Sequence, residues 1–296
     1  MTTKRNKIKL TPYLLLIPWF IGMGLFRVYP IIISLVYSFF NYEMISGWQH
    51  ATFVGLDNYR RIFQEDPVFW PSVVATLRYV LIGTPMVLVA AFFIAFILNF
   101  KLKGVNLFRT AYYVPSILGG NVAVSILWVQ LFHVQGPINT IMDLFGLERV
   151  NWIMNPDFAP FTLIFLSAWQ FGSVMLIFLA ALQNVSPSLY EAASIDGAKK
   201  WRQLFSITLP IITPVLLFNT VNVLIRHFQE FNAAFLITRG GPNNATRFLN
   251  MYIYEQAFVM RNLGYASALT WILLAAIGAL SMILFTSSKY WVHYND

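Results

Sequence analysis

The sequence predicts an all-α integral membrane protein with six transmembrane helices, and three observations support this fold class. Of the 296 residues, 58% are apolar and only 11% are charged, whereas a soluble domain carries about 25% charged residues. Six apolar stretches are long enough to cross a bilayer, which takes about 20 helical residues. Basic residues concentrate in alternate connections between these stretches. The composition excludes a soluble enzyme, and the unbroken apolar runs exclude transmembrane strands, whose side chains alternate.

The six predicted helices span approximately residues 13–40, 73–100, 111–132, 160–182, 210–235 and 263–287. Basic residues precede the first helix, as in a signal peptide, but the apolar run is too long for one and no small-residue cleavage site comes before Arg27. We interpret it as an uncleaved anchor. Residues 1–296 are predicted to form one membrane domain, with a core at about 72–288 and a peripheral N-terminal helix at about 12–40.

The distribution of Lys and Arg predicts the orientation of the chain. With the N-terminus placed inside, the inner segments hold 11 basic and 3 acidic residues, and the outer loops hold 6 basic residues. All eight lysines lie inside. Because basic residues concentrate in cytoplasmic connections, both termini are predicted to be cytoplasmic. The net charge of +8 is therefore an orientation signal, and we expect no nucleic-acid partner.

The sequence contains none of the residue patterns of a catalytic or metal site. It has no cysteine, and its two Gly-Gly pairs, one of them Gly119-Gly120, lack the lysine of a phosphate-binding loop. The four histidines are scattered. His227 and Glu230 are three residues apart on a predicted helix, but two ligands are too few for a metal site. We therefore expect no enzyme activity, no metal and no cofactor in this chain.

The connection between the fourth and fifth helices, residues 184–210, has its own predicted structure. Ser186 and Pro187 form a typical helix start, and Gly197 can adopt the positive φ of a turn. A second short helix should follow before Pro210 begins the fifth span. The apolar face of this second helix would consist of Trp201, Leu204 and Phe205. Taken alone, the segment fits an amphipathic hairpin on anionic lipid as well as it fits a docking surface for a soluble partner.

The same connection carries a motif that resembles the EAA motif of ABC importer permeases. Its principal positions are Glu191-Ala192-Ala193, Asp196-Gly197-Ala198 and Ile207-x-Leu209-Pro210. Further motifs resemble the maltose-permease type of carbohydrate importer subunit, and these are Pro12-Tyr13, Tyr29-Pro30, Tyr113-Val114-Pro115-Ser116, Thr238-x-Gly240-Gly241-Pro242, Tyr254-Glu255-x-Ala257-Phe258 and Gly264-Tyr265-Ala266. The resemblance extends from about Pro12 to Trp291. It is to the shorter six-helix members, which lack the extra N-terminal helices of the enterobacterial maltose subunit.

The resemblance implies a permease subunit of an ATP-driven importer for a sugar or oligosaccharide, in the bacterial cytoplasmic (inner) membrane. It implies a heterodimer with a second, homologous permease and two ATP-binding subunits that hold ATP and Mg. An extracytoplasmic solute-binding protein would dock on the outer loops at about 41–71, 133–159 and 236–262. The coupling helix that contacts the ATPase would consist of Glu191, Ala192, Ala193, Asp196, Gly197 and Ala198. Its movement would switch the spans between inward-open and outward-open states.

Polar residues within the apolar spans form the candidate substrate site, because ionisable groups in a bilayer are costly and usually face a cavity or a partner. In the fifth helix, Asn222, Arg226 and Glu230 repeat every four residues and should share one face. The resemblance places sugar contacts in the fourth and fifth helices. The predicted substrate-binding residues are Asn222, Arg226, His227, Gln229, Glu230, Trp169, Gln170 and Ser173.

Each part of this site has a simpler alternative. Arg226 and Glu230 can form an ion pair near the membrane interface, and Trp169 can belong to an interfacial aromatic belt. The two charges also depart from the Asn-rich pattern of the maltose type, which leaves the identity of the sugar open. For the whole chain, the alternative function is an ion-coupled secondary transporter. Such a transporter needs intramembrane carboxylates, of which only Glu230 is available, and usually an internal repeat, which we do not find.

Overall fold

The structure is a computed structural model that describes residues 11–100 and 104–293. The described residues fall into two compact units. The first holds residues up to Gln64 together with Tyr254–Trp271, and the second holds Glu65–Ile253 together with residues from Ile272 onward. The predicted peripheral N-terminal helix thus belongs to the first unit, and Tyr254–Trp271, which we placed in the core, joins it there. The basic residues Lys4, Arg5, Lys7, Lys9, Lys101 and Lys103 lie outside the described residues.

The first unit combines a long apolar helix with a small sheet. Asn58 donates hydrogen bonds to the carbonyl oxygens of Ser38 (2.9 Å) and Phe40 (3.1 Å), so it ties the end of the apolar helix to the next helix along the chain. The elements are α1 (Thr11–Met23), a π-helical turn (Gly24–Val28), α2 (Tyr29–Ser38), β1 (Phe40–Asn41), a 3-10 turn (Trp48–His50), β2 (Thr52–Phe53) and α3 (Asp57–Gln64), with β1 antiparallel to β2.

The second unit is helical and is built around one long helix, α4, which packs against α8, α9 and α12. Its elements are α4 (Phe69–Leu98), α5 (Val105–Leu118), α6 (Val122–Leu131), α7 (Pro137–Leu144), α8 (Ala159–Trp169), α9 (Gly172–Gln183), α10 (Pro187–Ile195), α11 (Lys200–Gln203), a π-helical turn (Leu204–Thr208), α12 (Leu209–Phe228) and a π-helical turn (Ala234–Thr238). The remaining helical elements, α13 (Leu249–Tyr254), a π-helical turn (Glu255–Val259) and α14 (Leu263–Ser288), complete the described chain.

Two apolar clusters hold the second unit together. One contains Tyr79 and Phe248, whose ring centroids are 4.7 Å apart. The other joins Ala91 of α4, Phe178 of α9 and Ile212 of α12, all of which are buried. The small side chain at position 91 lets the neighbouring helices approach closely, as is common between membrane helices. α4 therefore provides the rigid centre on which the other helices of this unit are placed.

Four helices of the described chain are long and apolar enough to span a membrane, and they are Leu15–Ser38, Phe69–Leu98, Lys200–Phe228 and Leu263–Ser288. The third and fourth predicted helices are each broken, which corrects the prediction of unbroken spans there. α5 and α6 meet at 104°, and α8 and α9 meet at 46°, so the count reaches six if each bent pair is one span. The sharper bend lies at Gly119-Gly120, where Gly120 has a φ of +65°. A left-handed residue ends an α-helix, and glycine adopts that conformation without a steric cost.

The connection at 184–210 begins as predicted but continues differently. α10 starts at Pro187, although the Ser186 hydroxyl bonds the Ser188 hydroxyl (2.8 Å) rather than capping the helix. Gly197 forms the predicted turn, with a φ of +77°. The predicted second short helix is wrong, because α11 runs through a π-helical turn into α12 as one continuous helix of 29 residues.

Two prolines, Pro30 and Pro210, follow π-helical turns that accommodate them within continuous helices. One such turn ends two residues before Pro30, and another ends two residues before Pro210. A proline inside an α-helix clashes with the carbonyl group four residues earlier and leaves that carbonyl unpaired. The wider π-helical turn moves that carbonyl away, since Tyr29 and Leu209 each donate to the carbonyl five residues back. The sequence pattern at Pro210 therefore indicates a local widening, where we had predicted a new helix.

Candidate functional site

A polar cavity of about 70 Å³ lies within the second unit, where α5, α8 and α12 end. Its walls carry a phenol, two hydroxyls, two amides and a carboxylate, together with apolar side chains. This set can both donate and accept hydrogen bonds, and it is surrounded by helices whose other buried residues are mostly apolar. The polar residues of the wall are Tyr79, Ser125, Ser167, Gln170, Glu230 and Asn232.

The elbow between α5 and α6 forms one side of this cavity. A Cβ atom on Gly119 would lie 3.1 Å from Oε1 of Gln170, and one on Gly120 would lie 3.2 Å from Nδ2 of Asn232. Both glycines therefore allow the backbone to approach the amide side chains of the opposite wall. Asn121 then begins α6, because its Oδ1 accepts a hydrogen bond from the Ala123 amide (2.9 Å).

Gln170 and Glu230 are the two predicted substrate-binding residues that line the cavity. Gln170 lies at the break between α8 and α9. Glu230 lies beyond the end of α12 at Phe228, and its Oε1 accepts a hydrogen bond from the Ala233 amide (2.9 Å). The prediction that Glu230 shares a helix face with Asn222 is therefore wrong, since the helix ends before residue 230.

Three other predicted substrate-binding residues of the fifth helix do not line the cavity, and they are Asn222, Arg226 and Gln229. Asn222 and Arg226 are exposed, and Asn222 donates to the Phe218 carbonyl of its own helix (2.7 Å). Within the described residues, Arg226 and Glu230 form no ion pair with each other. Gln229 is also exposed. The simpler alternative for Arg226 and Glu230 is therefore not what the structure contains.

His227 is a buried core residue with only 4% of its surface exposed. Its Nδ1 lies 2.9 Å from the Thr84 hydroxyl of α4, and its Nε2 lies 2.7 Å from the Ser167 hydroxyl of α8. A neutral imidazole donates from one nitrogen and accepts at the other, so both bonds can form together. His227 joins three helices and does not line the cavity wall, which corrects its predicted position. In the described chain, no three His, Asp or Glu side chains lie where they could hold a metal ion.

The remaining predicted residues of the fourth helix lie outside the cavity wall. Trp169 is 39% exposed, and its ring centroid is 5.8 Å from that of Trp128. Ser173 is half-buried on α9. Tyr79 and Ser167 line the cavity but are not among the residues predicted from the sequence. From the sequence, Gly119-Gly120 is assessed only as a phosphate-binding loop. A glycine pair inside an apolar run is a helix-break signal, and it could have located the elbow.

The predicted coupling segment forms an exposed surface next to the start of the continuous helix Lys200–Phe228, at the end away from the polar cavity. α10 has no buried residue, and Glu191, Ala192 and Asp196 are exposed. Ala193, Gly197 and Ala198 complete the segment, with the two alanines half-buried. Glu191 forms no ion pair with another described residue. The turn is held to the long helix by Gln203, whose Nε2 donates to the Ser194 hydroxyl (2.9 Å) and the Ala198 carbonyl (3.1 Å).

Comparison with known proteins identifies the family. The model of the family described as "binding-protein-dependent transport system inner membrane component" matches residues 10–294. The probable ABC transporter permease protein YesP of Bacillus subtilis is 43% identical over 294 residues, which is 98% of this chain and 94% of that protein. The lactose transport system permease protein LacF of Rhizobium radiobacter is 32% identical over 299 residues, which is 97% of this chain and 98% of that protein.

A solved structure shares the fold. One chain of the crystal structure of a bacterial alginate ABC transporter, in complex with an alginate pentasaccharide-bound periplasmic protein, superposes with a TM-score of 0.79. The match covers 94% of this chain and 94% of that chain, at 21% identity. The predicted family is confirmed, and its members are transport components rather than enzymes. The chain therefore belongs to the family of binding-protein-dependent transport system inner membrane components.

Proposed function

We propose that this chain is the permease subunit of an ATP-driven importer that carries a sugar or oligosaccharide across the bacterial cytoplasmic membrane. The observation that supports the proposal most directly is the polar cavity at the ends of α5, α8 and α12. Amide, hydroxyl and carboxylate groups bind the hydroxyls of a sugar by donating and accepting hydrogen bonds. The related LacF, named as a lactose permease, supports the same substrate class.

The size of the cavity supports a site shared with a second permease. At about 70 Å³, it holds a few water molecules, whereas ligand pockets are usually about 300–1,000 Å³. We propose that a homologous permease completes the pocket in a heterodimer. Gln170 and Glu230 would then contact the sugar from this side.

The exposed α10 segment supports the coupling proposal. We propose that an ATP-binding subunit, which holds ATP and Mg, docks on Glu191, Ala192, Ala193 and the turn at Gly197. Six spans with both termini in the cytoplasm would place this surface inside the cell, as the distribution of lysines predicts. A solute-binding protein would then deliver sugar on the opposite side, at the loops near 41–71, 133–159 and 236–262.

The test is sugar uptake by the assembled complex in proteoliposomes. We expect uptake to require internal ATP and the solute-binding protein. Gln170→Leu should raise the sugar KM about tenfold, since losing one or two hydrogen bonds costs about 1–2 kcal/mol. Gln183→Leu is the matched control, because Gln183 is exposed at the end of α9, outside both the cavity and the proposed docking loops. Uptake without ATP would indicate the ion-coupled alternative, and equal KM values for the two variants would remove the cavity as the binding site.

A further inference from the structure

An apolar groove lies on the outside of the second unit, between α4 and the helix formed by α11 and α12. It consists of two adjoining volumes of about 340 Å³ and 500 Å³, and Phe96, Trp201 and Leu204 line both. The groove lies away from the polar cavity, since the two share no lining residue. It belongs to neither the substrate site nor the exposed face of α10.

The groove is open along its length. Val89 and Phe205 are exposed at its rims, and Trp201 is 73% exposed. Along α4 it extends from Leu88 to Asn99, which is about 16 Å at about 1.5 Å per residue. One leaflet of a bilayer has about half of the roughly 30 Å hydrocarbon thickness. The groove therefore has the length of one acyl chain in a single leaflet.

One end of the groove is polar and positively charged. Tyr190, Gln203 and Thr208 are already engaged, because the Tyr190 hydroxyl bonds Thr208 (2.9 Å) and Gln203 binds the coupling turn. Lys200 and Asn99 line the same end, and neither side chain forms a hydrogen bond or ion pair with another described residue. Among the described residues that line the groove, none is acidic. The charge at this end therefore favours an anion.

We propose that this groove binds an anionic glycerophospholipid, with one acyl chain between α4 and α12 and the headgroup phosphate at Lys200 and Asn99. The apolar length and the cationic end fit the two parts of that molecule. A basic residue near an anionic headgroup is a common basis of lipid recognition. Because Lys200 begins the long helix three residues after Gly197, the bound lipid would hold the coupling end of that helix.

The test measures lipids retained by the purified, assembled complex, using native mass spectrometry with phosphatidylglycerol and phosphatidylcholine of identical acyl chains. We expect the phosphatidylglycerol lipid to bind about fivefold more tightly, from one lysine near the headgroup. Lys200→Gln should abolish this preference, whereas Lys289→Gln, at the end of α14, should preserve it. Equal binding of the two lipids, or equal effects of the two lysine substitutions, would overturn the proposal.

A second pair of variants tests the acyl-chain part of the groove. Val89→Trp should fill the groove and lower retention of both lipids. Val74→Trp is the matched control, because Val74 lies on the same helix, is 62% exposed and lines neither groove volume. If Val89→Trp instead leaves lipid retention unchanged and separates the two permeases, the groove is a subunit interface and the lipid proposal is wrong.

Discussion

Gly172→Ala should displace α9 from α5 and disturb the polar cavity. Gly172 is the first residue of α9, two residues after Gln170. A Cβ atom there would lie 2.5 Å from the Tyr112 carbonyl oxygen and 2.8 Å from the Tyr113 Cα. Both obstacles are backbone atoms, so no side chain can rotate away. To reach an ordinary contact of about 3.5 Å, the helices must separate by about 1 Å.

The expected loss of folding stability in Gly172→Ala follows from two opposing effects. Overpacking of this kind destabilises by about 1–3 kcal/mol, while Ala in place of Gly in a helix returns at most about 1 kcal/mol. We therefore expect a lower thermal unfolding temperature for the purified complex and reduced sugar uptake. Gly278→Ala is the control, because a Cβ on Gly278 meets nothing within 4 Å, and it should leave the unfolding temperature unchanged or slightly higher. Wild-type stability and uptake in Gly172→Ala would refute the close packing of α5 and α9.

Three further predictions test the elbow, the core histidine and the coupling turn. Gly120→Val should lower sugar uptake, because the left-handed backbone costs about 1–2 kcal/mol for a residue with a Cβ and the new side chain would press on Asn232; unchanged uptake would contradict this. His227→Leu should lower the unfolding temperature of the complex, since two hydrogen bonds worth about 1 kcal/mol each are lost, and the buried Thr84 hydroxyl and the half-buried Ser167 hydroxyl lose their partner; an unchanged temperature would contradict the interhelical role. Gly197→Ala should reduce transport-coupled ATP hydrolysis through backbone strain alone, because a Cβ there meets nothing within 4 Å. Gly197→Asn should retain more activity, because Asn tolerates φ > 0. Equal activity of both variants and wild type would show that the turn conformation is unimportant.

The positions of the spans follow from the apolar pattern, but the breaks do not. Hydrophobicity sets which segments enter the bilayer, and apolar residues continue on both sides of Gly119-Gly120. The direction of the chain after the break depends on one positive φ at Gly120, which a composition count does not contain. Pro210 misled the prediction in the opposite direction, because proline in the interior of a helix usually breaks it, whereas the π-helical turn at Leu204–Thr208 lets the helix continue.

The polar cavity could be predicted as a region but not residue by residue. Polar side chains within the apolar spans drew attention to the segment around residue 230, and Glu230 lines the cavity. His227 and Glu230 are only three residues apart in the sequence. His227 nevertheless forms hydrogen bonds to two other helices, whereas Glu230 lines the cavity. That difference depends on where α12 ends and on hydroxyls contributed by α4 and α8. Tyr79 lies on α4, the second predicted span. The family resemblance placed sugar contacts only in the fourth and fifth predicted helices, so it did not include Tyr79.

The continuity of α11 with α12 has a mechanical consequence. At about 1.5 Å per residue, the 29-residue helix is a rod about 43 Å long. One end begins beside the turn at Gly197, and the other end carries His227 and precedes Glu230. A tilt of about 5° about one end of such a rod displaces the other end by about 4 Å. Two short helices joined by a flexible hinge would absorb that tilt, whereas a single continuous helix would transmit it between the surface of α10 and the wall of the cavity.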